Sequence, residues 1–173
     1  MILVYGLQKS GISVAKLLEK KNKDFKIWDD NKLVRKNLKS IFDHQLFFKP
    51  NTKNLKYFNK LFVSPGISLR QKKFKLLNNK NQLQRDINLY ISNLKKEKII
   101  GITGTNGKST TTKLIGDVLK KNKIKTFVGG NIGKPLCNAY NNNRRFNYHV
   151  IELSSFQLET IKNLKSKISI ITN

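Results

Sequence analysis

Cysteine is almost absent from this sequence, and so are the long apolar runs that membrane proteins carry. The lone Cys137 excludes a disulfide within the chain and is typical of a reducing compartment, where it would be a small buried residue. No apolar run approaches the roughly 20 residues that a membrane-spanning helix needs. The short apolar stretch at residues 2–6 is also unlike a signal peptide. We therefore expect a cytoplasmic protein without membrane insertion.

Acidic residues are scarce as well. The chain has 10 of them against 35 lysines and arginines, which gives a formal net charge of +25. A charge of this size is often a sign of nucleic-acid binding. Here the lysines are dispersed along the chain and accompany many Asn, Ile and Phe residues, all encoded by A/T-rich codons. We therefore favour compositional bias as the cause, and expect anionic small-molecule ligands and no specific nucleic acid.

A glycine-containing loop between a strand and a helix is the most informative feature. The stretch at 98–112, KIIGITGTNGKSTTT, begins as an apolar strand, passes through Gly104 and Gly107, and becomes helical at Lys108. Glycines allow the backbone to surround an anion, and a helix N-terminus favours negative charge. Lys108 could reach terminal phosphates, and the Ser109 hydroxyl could ligate Mg²⁺. The pattern predicts a loop that binds a nucleoside triphosphate.

This loop departs from the strict Walker pattern by one residue. The pattern requires a glycine where this chain has Ile102, although Gly101 and Gly104 flank that position. The alternative is an ordinary strand–helix turn with a surface lysine. We favour the phosphate loop, because strand, glycines, Lys-Ser and helix follow one another in the required order.

The N-terminal residues form a second nucleotide-binding pattern. A strand at 2–5 leads into a glycine turn at 6–11, a helix to about Lys20 and a strand at 25–28 that ends in Asp29 and Asp30. An acid at this place commonly accepts hydrogen bonds from a ribose or a base. Gln8 stands where a dinucleotide fingerprint has its second glycine, which counts against NAD. A purely structural turn remains the alternative.

Two later strands also end in residues with functional potential. The strand at 61–63 runs into a Ser-Pro-Gly-Ile turn at 64–67, and the strand at 148–151 delivers Glu152. Ligands of open α/β sheets bind at the carboxyl ends of strands. A carboxylate beside a phosphate loop can serve as a Mg²⁺ ligand. The alternatives are a tight turn without function and a solvated charge at a strand end.

Further elements follow from apolar spacing and turn residues. We predict short strands at 46–48, 124–128 and 168–172. We also predict a basic helix at 69–81, a helix from the N-cap Asp86 to about Leu94, and a short helix from Pro135. The helix after the phosphate loop should bury an apolar face made of Leu114, Ile115, Val118 and Leu119. His44 and His149 have no identifiable partners, and we interpret both as structural.

Four motifs together resemble one known family. GITGTNGKST at 101–110 is similar to the ATP loop of the Mur ligases and folylpolyglutamate synthetases, whose loop is shorter than the strict Walker form. GGNIG at 129–133, ELSSFQLE at 152–159 and the turn at 64–67 resemble the D-glutamate-adding branch of the Mur ligases. The implied fold class is α/β: an N-terminal Rossmann-like domain with a parallel sheet, then the first part of a P-loop ATPase-like domain. The implied domains are a UDP-binding domain at 1–93 and a truncated central ATP-binding domain at 94–173.

The resemblance also implies site residues. The ATP phosphates would be bound by Gly104, Thr105, Asn106, Gly107, Lys108, Ser109 and Thr110; Mg²⁺ would be held by Ser109 and Glu152; and Lys108 and Glu152 would be catalytic. The UDP-muramoyl-alanine substrate would contact Lys9, Ser10, Asp29, Asp30 and Gly66 in the first domain, and Asn131 and Ser154 in the second. Asn31 stands where the family often has a basic residue near the diphosphate.

The implied activity is a two-step ATP-dependent ligation. ATP would phosphorylate the alanyl carboxylate of UDP-N-acetylmuramoyl-L-alanine, and the amine of D-glutamate would attack the acyl phosphate, as a step of peptidoglycan synthesis. Members of the family are much longer and carry a C-terminal domain. We therefore expect a fragment that does not ligate alone, and a monomer.

Three other interpretations stay open at this point. They are an NAD-type oxidoreductase built on the N-terminal pattern, a basic P-loop protein that binds nucleic acid, and a folding remnant without activity.

Overall fold

The computed structural model describes residues 1–75, 77, 82–161 and 163–173. The chain forms two compact units, Met1–Asp86 and Ile87–Asn173, and each contains its own four-stranded parallel sheet. The predicted α/β class is therefore confirmed. The functional domain boundary between residues 93 and 94 stays a prediction. Within the described ranges, no helix combines the length and apolar character needed to cross a membrane.

The first unit is a parallel sheet with the strand order β2-β1-β3-β4. Its elements are β1 (Ile2–Tyr5), α1 (Lys9–Lys20), β2 (Phe25–Trp28), α2 (Lys32–Leu38), β3 (Lys60–Val63), α3 (Lys72–Lys75) and β4 (Leu83–Gln84), with single 3-10 turns at His44–Leu46 and Leu55–Tyr57. In register, Tyr5 pairs with both Trp28 and Val63, so the carboxyl ends of three strands meet at one edge. β2 lies on one side of β1, and the chain then crosses to form β3 on the other side. Ligands of such sheets bind at this switch point, at the carboxyl ends of the strands.

One core cluster of the first unit lies on one side of this sheet, and Val4 and Phe62, which alternate with its members along β1 and β3, are buried on the other side. Leu3, Tyr5, Leu61 and Val63 alternate along β1 and β3 and pack with Phe74 of α3. The helix α1 buries Val14, Leu17 and Leu18 along its apolar face.

The second unit has the strand order β6-β7-β5-β8. Its elements are α4 (Asp86–Ile91, beginning at the division between the units), β5 (Lys98–Gly104), α5 (Lys108–Lys121), β6 (Thr126–Gly130), α6 (Asn138–Asn141), β7 (Tyr148–Glu152), α7 (Ser155–Leu158) and β8 (Ile168–Thr172). The strands β5 and β7 lie side by side at the centre, with Ile102 in register with Glu152. The phosphate-loop strand and the strand that ends in Glu152 are therefore neighbours.

The buried face of α5 differs from the predicted one. Ile115 and Leu119 pack on the sheet, but Leu114 and Val118 are 63% and 51% exposed. The helix instead turns its small residues Thr112 and Gly116 inward and buries them. Small side chains let the helix axis approach the sheet closely, and apolar spacing alone did not reveal this rotation.

Several predicted bounds need correction. The strand at 46–48 is wrong, since the structure has a 3-10 turn there and a single bridge between Ile27 and Phe47. The basic helix at 69–81 is helical only at Lys72–Lys75 among the described residues, and its positions 76 and 78–81 lie outside them. The strand predicted at 124–128 runs from Thr126 to Gly130, the helix predicted from Pro135 begins at Asn138, and the helix after Asp86 ends at Ile91.

Candidate nucleotide-binding sites

The phosphate-loop motif leaves the end of β5 at a backbone position that only glycine tolerates well. Gly104 has a φ of +135°, and a Cβ there would clash with the carbonyl oxygen of Thr172. The loop is braced by the end of β8, because the Thr105 N–H donates to the Asn173 carbonyl at 3.1 Å. The Asn106 N–H donates to the same carbonyl. The loop shape thus depends on a strand that lies far away in the sequence.

Lys108 folds back over this loop. Its Nζ donates to the carbonyls of Gly104 and Thr105, both at 2.8 Å. The residue preceding α5, Gly107, has no side chain that could cap the first N–H groups of this 14-residue helix. The ammonium group and the positive end of the helix dipole therefore lie at the same end of the helix, as a phosphate ligand requires.

Glu152 is the centre of the polar cluster beside the loop. It is the last residue of β7, and its side chain is buried, with the residue 1% exposed. Ser109 Oγ donates to Glu152 Oε2 at 2.8 Å, and Asn131 Nδ2 donates to Oε1 at 3.2 Å. The Asn131 N–H also donates to the Glu152 carbonyl at 2.9 Å. Three of the predicted site residues thus meet in space.

The charge of this cluster is unbalanced. Both donors to Glu152 are neutral, and in the described part of the chain no cation pairs with it. A buried carboxylate without a cation is costly, and carboxylate and hydroxyl oxygens are ligands that Mg²⁺ accepts. Among the described residues, no group of three or more His, Cys, Asp or Glu forms a metal cage. The donor set fits Mg²⁺ held by Ser109 and Glu152 together with phosphate and water oxygens.

The remaining predicted residues of the second unit lie around this cluster. Thr110 is exposed in the first turn of α5. Ser154 follows Glu152 by two residues and caps α7, accepting from the Gln157 N–H at 3.2 Å. The Ser154 hydroxyl therefore serves as the N-cap of α7.

In the first unit, Asp29 holds the glycine turn in place. Its carboxylate accepts from the Leu7 N–H at 2.7 Å and from the Asn31 N–H at 2.8 Å. Ser64 Oγ donates to the Gly6 carbonyl at 2.6 Å and ties the Ser-Pro-Gly-Ile turn to the same place. The Asp29 carboxylate thus binds backbone N–H groups of the site.

The other predicted residues of this site lie on the two turns. Lys9 and Ser10 are the first two residues of α1, with Lys9 exposed, and Gly66 is exposed with open space where a side chain would be.

Asp30 belongs to a network that the sequence did not reveal. Its Oδ2 accepts from the Tyr5 hydroxyl at 2.6 Å and from Lys73 Nζ at 3.1 Å, and its Oδ1 accepts from Trp28 Nε1 at 3.1 Å. Partial burial alone would raise the pKa of the Asp30 carboxyl, but these hydrogen bonds and the Lys73 charge lower it. Burial and the neighbouring carboxylate raise the pKa of the Tyr5 hydroxyl far above its usual value. Asp30 is therefore an ionised acceptor.

Two arginines stabilise the turns of this site and were also missed. Arg35 Nη1 donates to the Asp29 carbonyl at 2.6 Å, and its guanidinium lies 4.2 Å from the Trp28 ring centre. Arg85 Nη1, in a residue only 7% exposed, donates to the carbonyls of Val63, Ser64 and Ile67 at 3.0, 2.6 and 3.0 Å. Among 35 dispersed basic residues, no local signal marks these two.

Comparison with known proteins shows which family this chain is similar to. Residues 102–173 match the Mur ligase middle domain. The chain is 37% identical over 166 residues to a UDP-N-acetylmuramoylalanine–D-glutamate ligase of Wolbachia sp. subsp. Brugia malayi, covering 92% of this chain and 33% of that protein. The enzyme of the same name from Rickettsia prowazekii is 37% identical over 171 residues, covering 98% of this chain and 38% of its own length. The chain belongs to the Mur ligase family.

This Mur ligase chain spans only a third to two fifths of the length of its relatives. A third example, the UDP-N-acetylmuramoylalanine–D-glutamate ligase of Clostridioides difficile, is 36% identical over 99% of this chain and 40% of its own length. Among solved structures, a pseudomurein peptide ligase type C from Methanothermus fervidus aligns with 98% of this chain and 37% of its own, at 22% identity and a TM-score of 0.46. The family resemblance inferred from the four motifs is confirmed, and the two alternative enzyme and nucleic-acid interpretations are not favoured.

Proposed function

We propose that this chain is the nucleotide-binding part of an ATP-dependent ligase that adds D-glutamate to UDP-N-acetylmuramoyl-L-alanine in peptidoglycan synthesis. The observation that carries this proposal is the buried Glu152 carboxylate, which Ser109 and Asn131 contact beside the phosphate loop of a Mur ligase chain. The names of the relatives support the substrate assignment.

In this proposal the loop from Gly104 to Thr110 binds the ATP phosphates. Lys108 would exchange its two loop carbonyls for phosphate oxygens and stabilise the charge that develops during phosphoryl transfer. Ser109 and Glu152 would hold Mg²⁺, which neutralises phosphate charge when bound. Asn131 orients Glu152 through its amide and lies, with Ser154, where the muramoyl part of the substrate would bind.

The proposed reaction has two steps. The alanyl carboxylate attacks the γ-phosphorus of ATP, which forms an acyl phosphate and releases ADP. The amine of D-glutamate then attacks the acyl carbon, the nitrogen loses a proton to solvent as the amide bond forms, and inorganic phosphate leaves with the electron pair of the broken C–O bond. The residues described here would serve the first step by positioning and charge neutralisation.

The first unit would bind the uridine diphosphate part of the substrate. Lys9 and Ser10 open α1 after the glycine turn, Gly66 leaves open space, and Asp29 and Asp30 lie at the same sheet edge. We propose the UDP-binding domain at residues 1–93 and the ATP-binding part at 94–173. The cytoplasm is the expected compartment, because ATP and UDP-linked precursors are found there.

Calorimetric titration of the purified chain tests this proposal, after circular dichroism has verified folding. We expect saturable binding of UDP-N-acetylmuramoyl-L-alanine and none of NAD, the comparison ligand. Binding of NAD in place of the UDP compound would refute the assignment. A folded chain that binds neither the UDP compound nor Mg²⁺-ATP would refute it too.

A further inference from the structure

The candidate uridine diphosphate site presents an electrostatic difficulty. Two adjacent carboxylates, Asp29 and Asp30, follow β2 at the sheet edge where a diphosphate would approach. Both carboxylates would repel the negative charges of a diphosphate. A single unscreened charge can change the affinity of an anion roughly tenfold. Binding of a diphosphate therefore requires that the negative charge of each carboxylate is compensated.

Asp29 is compensated by the backbone. Its two oxygens accept the N–H groups of Leu7 and Asn31, which are fixed parts of the turns on either side. These hydrogen bonds direct the Asp29 carboxylate toward the main chain, where backbone N–H groups partly compensate its negative charge.

Asp30 is compensated by a cation from another element. Its side chain is 67% exposed, and Lys73 Nζ of α3 lies 3.1 Å from its Oδ2. The ammonium group also donates to the Tyr5 hydroxyl and lies 4.3 Å from the centre of the Tyr5 ring, a cation–π contact. The Lys73 side chain is only 26% exposed. Lys72 and Lys75 of the same helix are exposed.

We propose that Lys73 is a specificity-determining residue of the nucleotide site, whose ammonium neutralises Asp30 and so admits a ligand with a diphosphate. This inference rests on the proposed uridine diphosphate site of the first unit. With its charge compensated, Asp30 can accept a hydrogen bond from a ribose hydroxyl or a uracil N–H without repelling the phosphates. Tyr5 contacts the same ammonium through both its hydroxyl and its ring.

The test compares Lys73→Gln with Lys75→Gln in titrations with UDP and with UMP at low ionic strength. Both variants lose one positive charge from the same helix, so Lys75→Gln is the matched control. We expect Lys73→Gln to weaken UDP binding about fivefold and UMP binding by less, because solvent screens part of the charge of the 67% exposed Asp30 and because the effect scales with ligand charge. Lys75→Gln should change either affinity by less than about twofold, since exposed charges are screened. Lys73→Arg should retain most of the UDP affinity.

The outcomes separate this inference from the proposed function. If the unsubstituted chain binds UDP and the two glutamine variants behave alike, the role of Lys73 is refuted while the nucleotide site stands. An equal loss for UDP and UMP would point to a structural role and also refute it. If the unsubstituted chain binds neither nucleotide, the proposed uridine diphosphate site itself fails.

A second variant keeps the test informative should Lys73→Gln not fold. In Asp30→Asn, the ammonium of Lys73 is no longer neutralised by a carboxylate. We therefore expect the ratio of UDP to UMP affinity to rise about twofold, because the effect scales with ligand charge. An unchanged or lower ratio would contradict the charge compensation.

Discussion

Acidification should destabilise the second unit through one buried histidine. His149 lies on β7, is 0% exposed, and is surrounded by the rings of Phe127, Tyr140 and Phe146 at 5.4 to 5.8 Å between centres. Its Nδ1 lies 2.7 Å from the Tyr90 hydroxyl, and its buried Nε2 has no hydrogen-bond partner among the described residues. Burial lowers the pKa of His149 from 6.5 to about 4, although the charge of Glu97 acts in the opposite direction.

The sign and size of the effect follow from this pKa. The folded chain binds the His149 proton less readily than the unfolded chain, so the stabilisation is fully present above pH 6.5. It is lost progressively as the pH falls toward 4. A shift from 6.5 to about 4 corresponds to about 3 kcal/mol in total, of which about 2 kcal/mol is lost by pH 5.

Urea denaturation at pH 7 and pH 5 measures this loss, with hydrogen exchange of the β7 amides to localise it. We expect His149→Gln to be less stable at pH 7, and its further loss between pH 7 and pH 5 to be smaller than that of the unsubstituted chain by about 2 kcal/mol. His44→Gln is the matched control, because it removes an exposed histidine. Equal losses in the unsubstituted chain and in His149→Gln would refute the reasoning.

Three further changes test the packing and the two sites. Gly116→Ala should destabilise the chain by about 1–3 kcal/mol in urea denaturation, because the new Cβ would overlap Val128. Val128→Ala in the same background should recover part of that loss, and an additive further loss would contradict the steric argument. Arg85→Met should cost about 1–3 kcal/mol by removing the donor shared by the carbonyls of the turn at Ser64. It should also weaken UDP binding, whereas UDP binding as tight as in the unsubstituted chain would show that the turn keeps its shape without Arg85. Glu152→Gln should lower Mg²⁺-dependent ATP binding at least about tenfold while ATP binding in excess chelator changes little, and equal losses in both conditions would contradict a metal-ligand role.

Much of the candidate site could be predicted because its parts are local in the sequence. The turn after β5, the residues that open α5 and the acid at the end of β7 each lie within one strand–loop segment, where glycine, apolar runs and polar residues have direct backbone meanings. The same holds for the glycine turn and the two acids that follow β2. Local chemistry was therefore enough to predict which segments form the two candidate sites.

The strand at 46–48 shows the limit of local patterns. Its apolar residues are partly buried, yet the backbone pairs with β2 through only one bridge. Apolar character predicted the burial of this segment, while hydrogen bonding between strands decided its secondary structure.

Only the tertiary structure determined which side chains meet. Ser109 and Glu152 are 43 positions apart, as are Lys73 and Asp30, and each pair forms because the strand order brings distant strand ends to one edge. The same placement selects Lys73 and Arg85 from 35 chemically similar cations and turns Gly116, rather than Leu114, toward the sheet. Hydrogen bonds and charge pairs act over a few ångströms, so their partners depend on the packing of whole elements and not on residue type alone.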